Sequence, residues 1–117
     1  MKLLLVDDSA TMRRIQKTQL TALGISAIEE AGDGQQALDK IAAGGIDMVL
    51  LDWNMPVMDG ITCLKAIRAN AANANVKVVM CTSESEKEKV MEALKAGANN
   101  YIVKPFTPEA LKEKLGI

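Results

Sequence analysis

Histidine is absent from all 117 residues. With it go histidine-based triads, histidyl phosphotransfer donors and imidazole zinc sites. Cysteine is nearly absent too: Cys63 and Cys81 have no metal-ligand spacing, one lying in a helix pattern and the other ending an apolar run, so both read as free core thiols suited to a reducing compartment. No apolar stretch approaches the roughly 18 residues of a membrane span. Met1 runs straight into an apolar segment without the charged and apolar regions of a signal peptide. A cytoplasmic protein with no membrane insertion is expected. Neither sign of charge is in excess: 14 Lys and Arg interleave with 15 Asp and Glu for a net charge of −1, which leaves no basic field for nucleic acid or an anionic membrane surface. Whatever chemistry the chain performs uses oxygen ligands and carboxylates.

What is present is a series of short apolar runs, each ending on a polar residue. Asp7 and Asp8 follow Leu3-Leu4-Leu5-Val6, Asp52 follows Met48-Val49-Leu50-Leu51, Thr82 follows Val78-Val79-Met80-Cys81, and Lys104 follows Tyr101-Ile102-Val103. Runs of this kind, separated by helix-period segments, read as buried parallel strands. Strands are predicted at residues 2–7, about 26–30, 46–51, 76–81 and 100–103. The first helix is expected to be capped by Ser9, to carry Met12, Ile15, Ala22 and Leu23 on its apolar stripe and to stop at Gly24. The second follows Asp33 with Ala37, Leu38, Ile41 and Ala42 on one face and ends at Gly44-Gly45. A long loop, Asp52 to Gly60, punctuated by Pro56 and Gly60, precedes a third helix with Ile61, Leu64 and Ile67 inward. Residues 69–75 read as a frayed helix end and turn. The fourth helix is expected over 85–96, packed through Val90, Ala93 and Leu94, and the fifth opens at Thr107-Pro108-Glu109 with Leu111 and Leu115 inward. Five strand–helix units with right-handed crossovers make one α/β domain over 1–117, a doubly wound parallel sheet with helices on both faces.

In such a sheet ligands bind outside the carboxyl ends of the strands. Three carboxylates gathered there repel one another unless one is protonated or a cation is supplied. An oxygen-only site suits Mg²⁺, with Asp8 and Asp52 as direct ligands and Asp7 orienting its water. Asp52 is also the natural nucleophile toward phosphorus, being ionised at neutral pH without a general base. Lys104 is a compact point charge suited to a phosphoryl oxygen. Taken alone, Lys104 could be a surface lysine before a proline, Thr82 a strand-end hydroxyl bonded to its own backbone, and Tyr101 a half-buried strand residue with a wet hydroxyl. Their joint occurrence at the ends of four strands favours the site.

Val6-Asp7-Asp8-Ser9, Asp52-Trp53-Asn54-Met55-Pro56 with Met58-Asp59-Gly60, Thr82, Gly97-Ala98 and Tyr101-Ile102-Val103-Lys104-Pro105-Phe106 together resemble the receiver domain of two-component response regulators, over the whole chain and most like its stand-alone chemotaxis members. The resemblance implies a flavodoxin-like sheet in the order 2-1-3-4-5 and a cis bond between Lys104 and Pro105. It also implies that Asp52 takes phosphate from the phosphohistidine of a sensor histidine kinase. By the same resemblance Asp7, Asp8 and the Asn54 carbonyl would complete the Mg²⁺ site with Asp52, while Thr82 and Tyr101 would switch and Lys104 would contact the phosphoryl group. The fourth helix, fifth strand and fifth helix become a partner face, through Lys87, Val90, Tyr101 and Lys114, for a downstream protein such as a flagellar motor switch protein. Without that resemblance Lys87, Lys89, Lys112 and Lys114 are solvated helix faces. Ser83 departs from the family, which usually has alanine or glycine after the switch threonine, and bears on access to the site and on phosphate lifetime.

The expectation is a monomeric signalling protein that is no enzyme beyond its own phosphorylation and dephosphorylation. A phosphorelay intermediate passing its phosphate to a histidine phosphotransfer protein is the alternative within the fold. A haloacid dehalogenase-type phosphatase needs Asp-x-Asp where this chain has Asp7-Asp8-Ser9, and a flavin carrier needs a Ser/Thr-rich loop that Ala10-Thr11-Met12-Arg13 does not supply.

Overall fold

The three central strands are apolar almost throughout, as burial on both faces of a sheet demands. The computed structural model describes residues 1–83, 87–104 and 106–117, and of Lys87 the backbone only. The chain runs β1 (Lys2–Val6), α1 (Ala10–Ala22), β2 (Ala27–Ala31), α2 (Gly34–Ala42), β3 (Met48–Asp52), α3 (Gly60–Ala69), a 3-10 turn at Ala71–Asn73, β4 (Lys77–Thr82), α4 (Lys87–Lys95), β5 (Asn100–Val103) and α5 (Pro108–Leu115). Every neighbouring pair is parallel, in the order β2-β1-β3-β4-β5, so the expected flavodoxin-like doubly wound sheet is the fold found.

Side chains alternate between faces along each strand. Leu4, Val6, Val49, Leu51, Val78 and Met80 join residues of α2, α3 and α4 in one core. Leu3, Leu5, Met48, Leu50, Val79 and Cys81 join α1 and α5 in the other. Both thiols are free and buried, as expected. Burial holds the Cys63 thiol up at about 11, with Asp33 adding to the effect, and pushes Cys81 higher still. Among the described residues no helix is long and apolar enough to cross a membrane.

Strand ends differ from expectation by one or two residues, and two of the differences matter. β3 runs to Asp52 and β4 to Thr82, so both groups belong to the ladder and take their positions from it. β1 stops at Val6; Asp7 still donates its N–H to Ala31 O (3.2 Å), but its side chain turns to cap the next bend. Of the expected α1 stripe, Leu23 packs against the core shared with α5 and Met12 is half-buried, but Ile15 is 48% exposed and Ala22 lies outward; the fully buried positions are Gln16 and Leu20. Apolar residues on α1 outnumber the positions facing the sheet, and Gln16 occupies one of those positions. In α2, Ala37 and Ile41 face inward and Leu38 packs beside them, but Ala42 is exposed. In α4, Ala93 is buried and Val90 half-buried, while Leu94 is 43% exposed, contrary to its expected inward position. Residues 85 and 86 of the expected fourth helix lie outside the described residues.

Caps follow the residue chemistry: Ser9, Asp33 and Thr107 accept from the N–H three residues on, and Gly24, Gly44 and Gly45 take positive φ where helices end. Asp59, read only as part of a loop, caps α3 by accepting from Thr62 N–H (2.9 Å).

Candidate functional site

The parallel ladder delivers β1, β3, β4 and β5 to one edge, and their terminal polar residues meet there. One carboxylate oxygen from each of Asp7, Asp8 and Asp52 lies within 4.8 Å of the others. Asp7 and Asp52 are buried and Asp8 is exposed. Lys104 Nζ sits between the two buried acids, 2.9 Å from Asp7 Oδ2 and 2.9 Å from Asp52 Oδ1, with its side chain 17% exposed. The ammonium thus serves two carboxylates at once.

Backbone contacts hold these groups in register. Asp52 is paired with Cys81 across the β3–β4 ladder, and Trp53 N–H continues that ladder to Cys81 O (2.9 Å). Lys104 N–H donates to Thr82 O (2.7 Å), so the lysine and the threonine hang from one hydrogen bond. Period-two alternation places Thr82 on the same sheet face as Met80, where Tyr101 also packs. Thr82 is buried and Tyr101 half-buried, its ring 4.6 Å from Lys114 Nζ. Asn54 is exposed two residues past Asp52, and Ser83 is exposed beside Thr82.

Gly60 brings α3 close to this edge. A Cβ there would lie 2.2 Å from Asp52 O and 2.8 Å from Trp53 Cα, so only glycine lets the helix start against the backbone of Asp52. The loop between them turns at Val57, which has φ +69° and is 85% exposed; Met58 N–H returns to Pro56 O (2.7 Å) across it. A β-branched residue in that three-residue turn is strained.

Electrostatics at the edge are set by burial and by Lys104. Desolvation raises the Asp52 carboxyl above its ordinary value; Lys104 opposes the rise, and the fields of Asp7 and Asp8 reinforce it. Burial works against the charge on Lys104, but its bonds to Asp52 and Asp7 outweigh that and its pKa rises. A charged lysine among three carboxylates still leaves an excess of negative charge. Hard oxygen donors, closely grouped and with one member open to solvent, fit a divalent cation such as Mg²⁺.

Of the residues expected at the site, the structure brings together Asp7, Asp8, Asp52, Thr82 and Lys104. Tyr101 stands two register positions back from Thr82, paired with Met80. The expected cis bond at Lys104–Pro105 and the side chain of Lys87 lie outside the described residues. Two contacts were not foreseen. Arg13 of α1 donates through one terminal nitrogen to Asp7 O and through Nε to Glu30 (3.1 Å). Lys89 lies 5.7 Å over the Trp53 ring, so it is more than part of a solvated face. Neither carries a sequence signal, because each depends on elements meeting in space.

The family model described as response regulator receiver domain matches residues 3–116. The chain is 50% identical to chemotaxis protein CheY1 of Helicobacter pylori, covering 100% of this chain and 95% of that protein. It is 51% identical to chemotaxis protein CheY-3 of Vibrio cholerae, covering 98% and 88%. Among solved structures, the chemotaxis protein CheY4 of Vibrio cholerae superposes with a TM-score of 0.90 at 37% identity, covering 98% of this chain and 95% of that one. A complex of CheX, CheY, BeF3 and Mg²⁺ from Borrelia burgdorferi superposes with a TM-score of 0.92 at 33% identity, covering 98% and 86%. A buried strand-end aspartate, two more at the switch point of the sheet and a lysine bridging them agree with these likenesses: the chain belongs to the response regulator receiver domain family and is a receiver domain of the CheY type.

Proposed function

We propose that Asp52 is the phosphoryl acceptor of this receiver domain, taking the group from a phosphohistidine on a sensor histidine kinase. The observation that carries the reading is Lys104 Nζ held 2.9 Å from both Asp52 and Asp7 beside the exposed Asp8. A carboxylate oxygen of Asp52 attacks phosphorus, the P–N bond breaks, and the imidazole leaves with the bonding pair. Asp7, Asp8, Asp52 and the Asn54 carbonyl would hold Mg²⁺, which when bound screens the negative charge of the incoming group. Lys104, already charged and ordered by two carboxylates, turns its ammonium to a phosphoryl oxygen. No general base is needed at Asp52.

The new oxygens lie within reach of the strand-end Thr82, and movement of that hydroxyl opens space on the sheet face where Tyr101 packs. Phosphorylation then shifts a two-state equilibrium, and the favoured state binds a target on the face of α4, β5 and α5, which includes Val90, Tyr101 and Lys114. Typical coupling of about 1 to 3 kcal/mol corresponds to partner binding strengthened roughly 5- to 150-fold. The likeness to chemotaxis proteins favours a signalling output, such as a flagellar motor switch protein, over onward relay of the phosphate. Action as a monomer in the cytoplasm belongs to the same reading.

Acetyl phosphate with Mg²⁺ should add one phosphoryl mass to the wild type, and Asp52→Asn or a chelator should abolish it. Labelling of Asp52→Asn at the wild-type rate would sink the assignment. For the switch, partner affinity is compared between apo and beryllofluoride-treated protein, in wild type and Thr82→Ala. Equal gains in both would remove Thr82 from the mechanism.

A further inference from the structure

We propose that Arg13 is a positioning residue for the acid pair: its guanidinium fixes the Asp7–Asp8 peptide so that the exposed Asp8 carboxylate is held ready for a divalent cation. The inference rests on the reading of the carboxylate cluster as a Mg²⁺ site and adds a residue outside it.

Asp7 is tied at every polar atom. Its N–H donates to Ala31 O (3.2 Å), Oδ1 accepts from Ser9 N–H (2.9 Å), Oδ2 accepts from Lys104 Nζ (2.9 Å), and its carbonyl oxygen accepts from Arg13. Among the described residues no hydrogen bond defines the Asp8 side chain in this way, and it stands exposed at a bend. The link between the two is a planar peptide, so pinning the Asp7 carbonyl also pins the nitrogen and Cα of Asp8. The direction in which the Asp8 side chain leaves the backbone is therefore set from α1, one turn ahead in the chain.

Arginine suits this position because its planar fork reaches two acceptors on different elements together. While one terminal nitrogen holds the end of β1, Nε holds Glu30 of β2 at 3.1 Å, and the side chain is only 19% exposed. An ammonium carries its three donors on one nitrogen and serves two acceptors only where they converge on a point, as Asp7 and Asp52 do at Lys104; Arg13 instead meets its two acceptors from separate nitrogens. Glu30 has a second effect. A bare guanidinium beside Asp7 and Asp8 would repel an arriving cation, and the carboxylate bonded to it cancels most of that field. Lys17 lies 3.9 Å from the other Glu30 oxygen but is half exposed, so solvent screens its contribution. What remains of Arg13 at the acid pair is mainly geometric.

Geometry and field predict opposite signs, which makes the proposal testable. Mg²⁺ is titrated into the full chain with Trp53 emission as the readout, and with the rise in melting temperature as a second measure, for wild type, Arg13→Met and Arg13→Lys. Loss of positioning should weaken Mg²⁺ binding about tenfold in both variants, the size usual when a group that orients a metal ligand is removed. In acetyl phosphate labelling the half-saturating Mg²⁺ concentration should rise by the same factor, while the rate at saturating Mg²⁺ stays close to wild type. If Arg13 acts only through its charge, Arg13→Met would bind Mg²⁺ more tightly and Arg13→Lys would equal wild type. If it merely supports the fold, melting temperatures would fall with affinity unchanged. Either result overturns the proposal, as would a lowered maximal rate with an unchanged half-saturation. Should Arg13→Met fail to fold, Arg13→Lys decides alone. A wild type that does not bind Mg²⁺ would overturn the reading of the site and this proposal with it, whereas wild-type binding with unaltered variants overturns this proposal only.

Discussion

Helices α3 and α4 cover the same face of the sheet but are attached in different ways. α3 buries Ile61, Cys63, Leu64 and Ile67, begins on the Asp59 cap, and presses Gly60 against the backbone of Asp52 and Trp53. Within the described part of α4, Ala93 is buried, while Met91 and Leu94 stand 45% and 43% exposed. An open groove of about 650 Å³, lined by Lys65 of α3 and by Glu88, Met91, Glu92 and Lys95 of α4, runs between the two helices. Among the described residues, Lys89 reaches from α4 to lie over the ring of Trp53, next to Asp52. Asp52 is thus mounted on the firmly packed side. The described part of α4 is lightly held, which suits the movement the proposed function asks of it.

The widest separation between the two helices should come from paired leucine truncations. Leu64→Ala removes a fully buried side chain and should cost about 2 to 5 kcal/mol, whereas Leu94→Ala should stay within about 1 kcal/mol. Urea denaturation of both variants measures this directly. Similar losses would mean that α4 is embedded as deeply as α3 and would remove the contrast.

The packed side also holds a charge at a cost, and pH exposes it. Burial raises the Asp52 carboxyl above 3.8, so the folded state binds that proton more tightly than the unfolded chain does. The associated stability is complete below the unfolded value and is lost as pH rises through the raised one. At neutral pH, without Mg²⁺, Asp52→Asn should therefore melt a few °C above wild type, on the order of the shift that 1 kcal/mol produces in a domain of this size. The gap should narrow as the pH is lowered toward 4 and wild-type Asp52 takes up its proton. A variant less stable than wild type at neutral pH would show that the bond to Lys104 outweighs the burial.

The smallest effect belongs to the link itself. Lys89→Gln removes a cation–π contact and should cost about 0.5 to 1 kcal/mol, with a change in Trp53 emission and faster amide exchange along α4 but not along α3. Exchange that accelerates equally in both helices would mean that the contact serves general stability.

Much of the site was legible in the sequence because its parts sit at strand ends. A buried parallel strand is marked by a continuous apolar run, and the polar residue that stops the run lies on the ligand-binding edge, which is why Asp7, Asp52, Thr82 and Lys104 stood out. Helix faces were less legible. On α1 the apolar residues coincide only in part with the face that packs, since Leu20 and Gln16 are buried and Ile15 is not. On α4 short-range periodicity placed Leu94 inward without sensing the groove beside it. The Asp59 cap lies within a loop whose Pro56 and Gly60 mark a turn more strongly than Asp59 marks a helix start.

The sequence by itself determined the alternation of strands and helices, the family, and the identity of the acidic and basic groups at the carboxyl edge, because these follow from local periodicity and from residue types at run ends. Only the tertiary structure decided how those groups share one another. Lys104 bridges Asp7 and Asp52, Arg13 reaches the Asp7 carbonyl from one side with Glu30 cancelling its charge, and Gly60 admits α3 to within contact of Asp52. Each of these joins residues on separate elements at distances of a few ångströms, and such distances are set by register and packing, which no window of the chain contains.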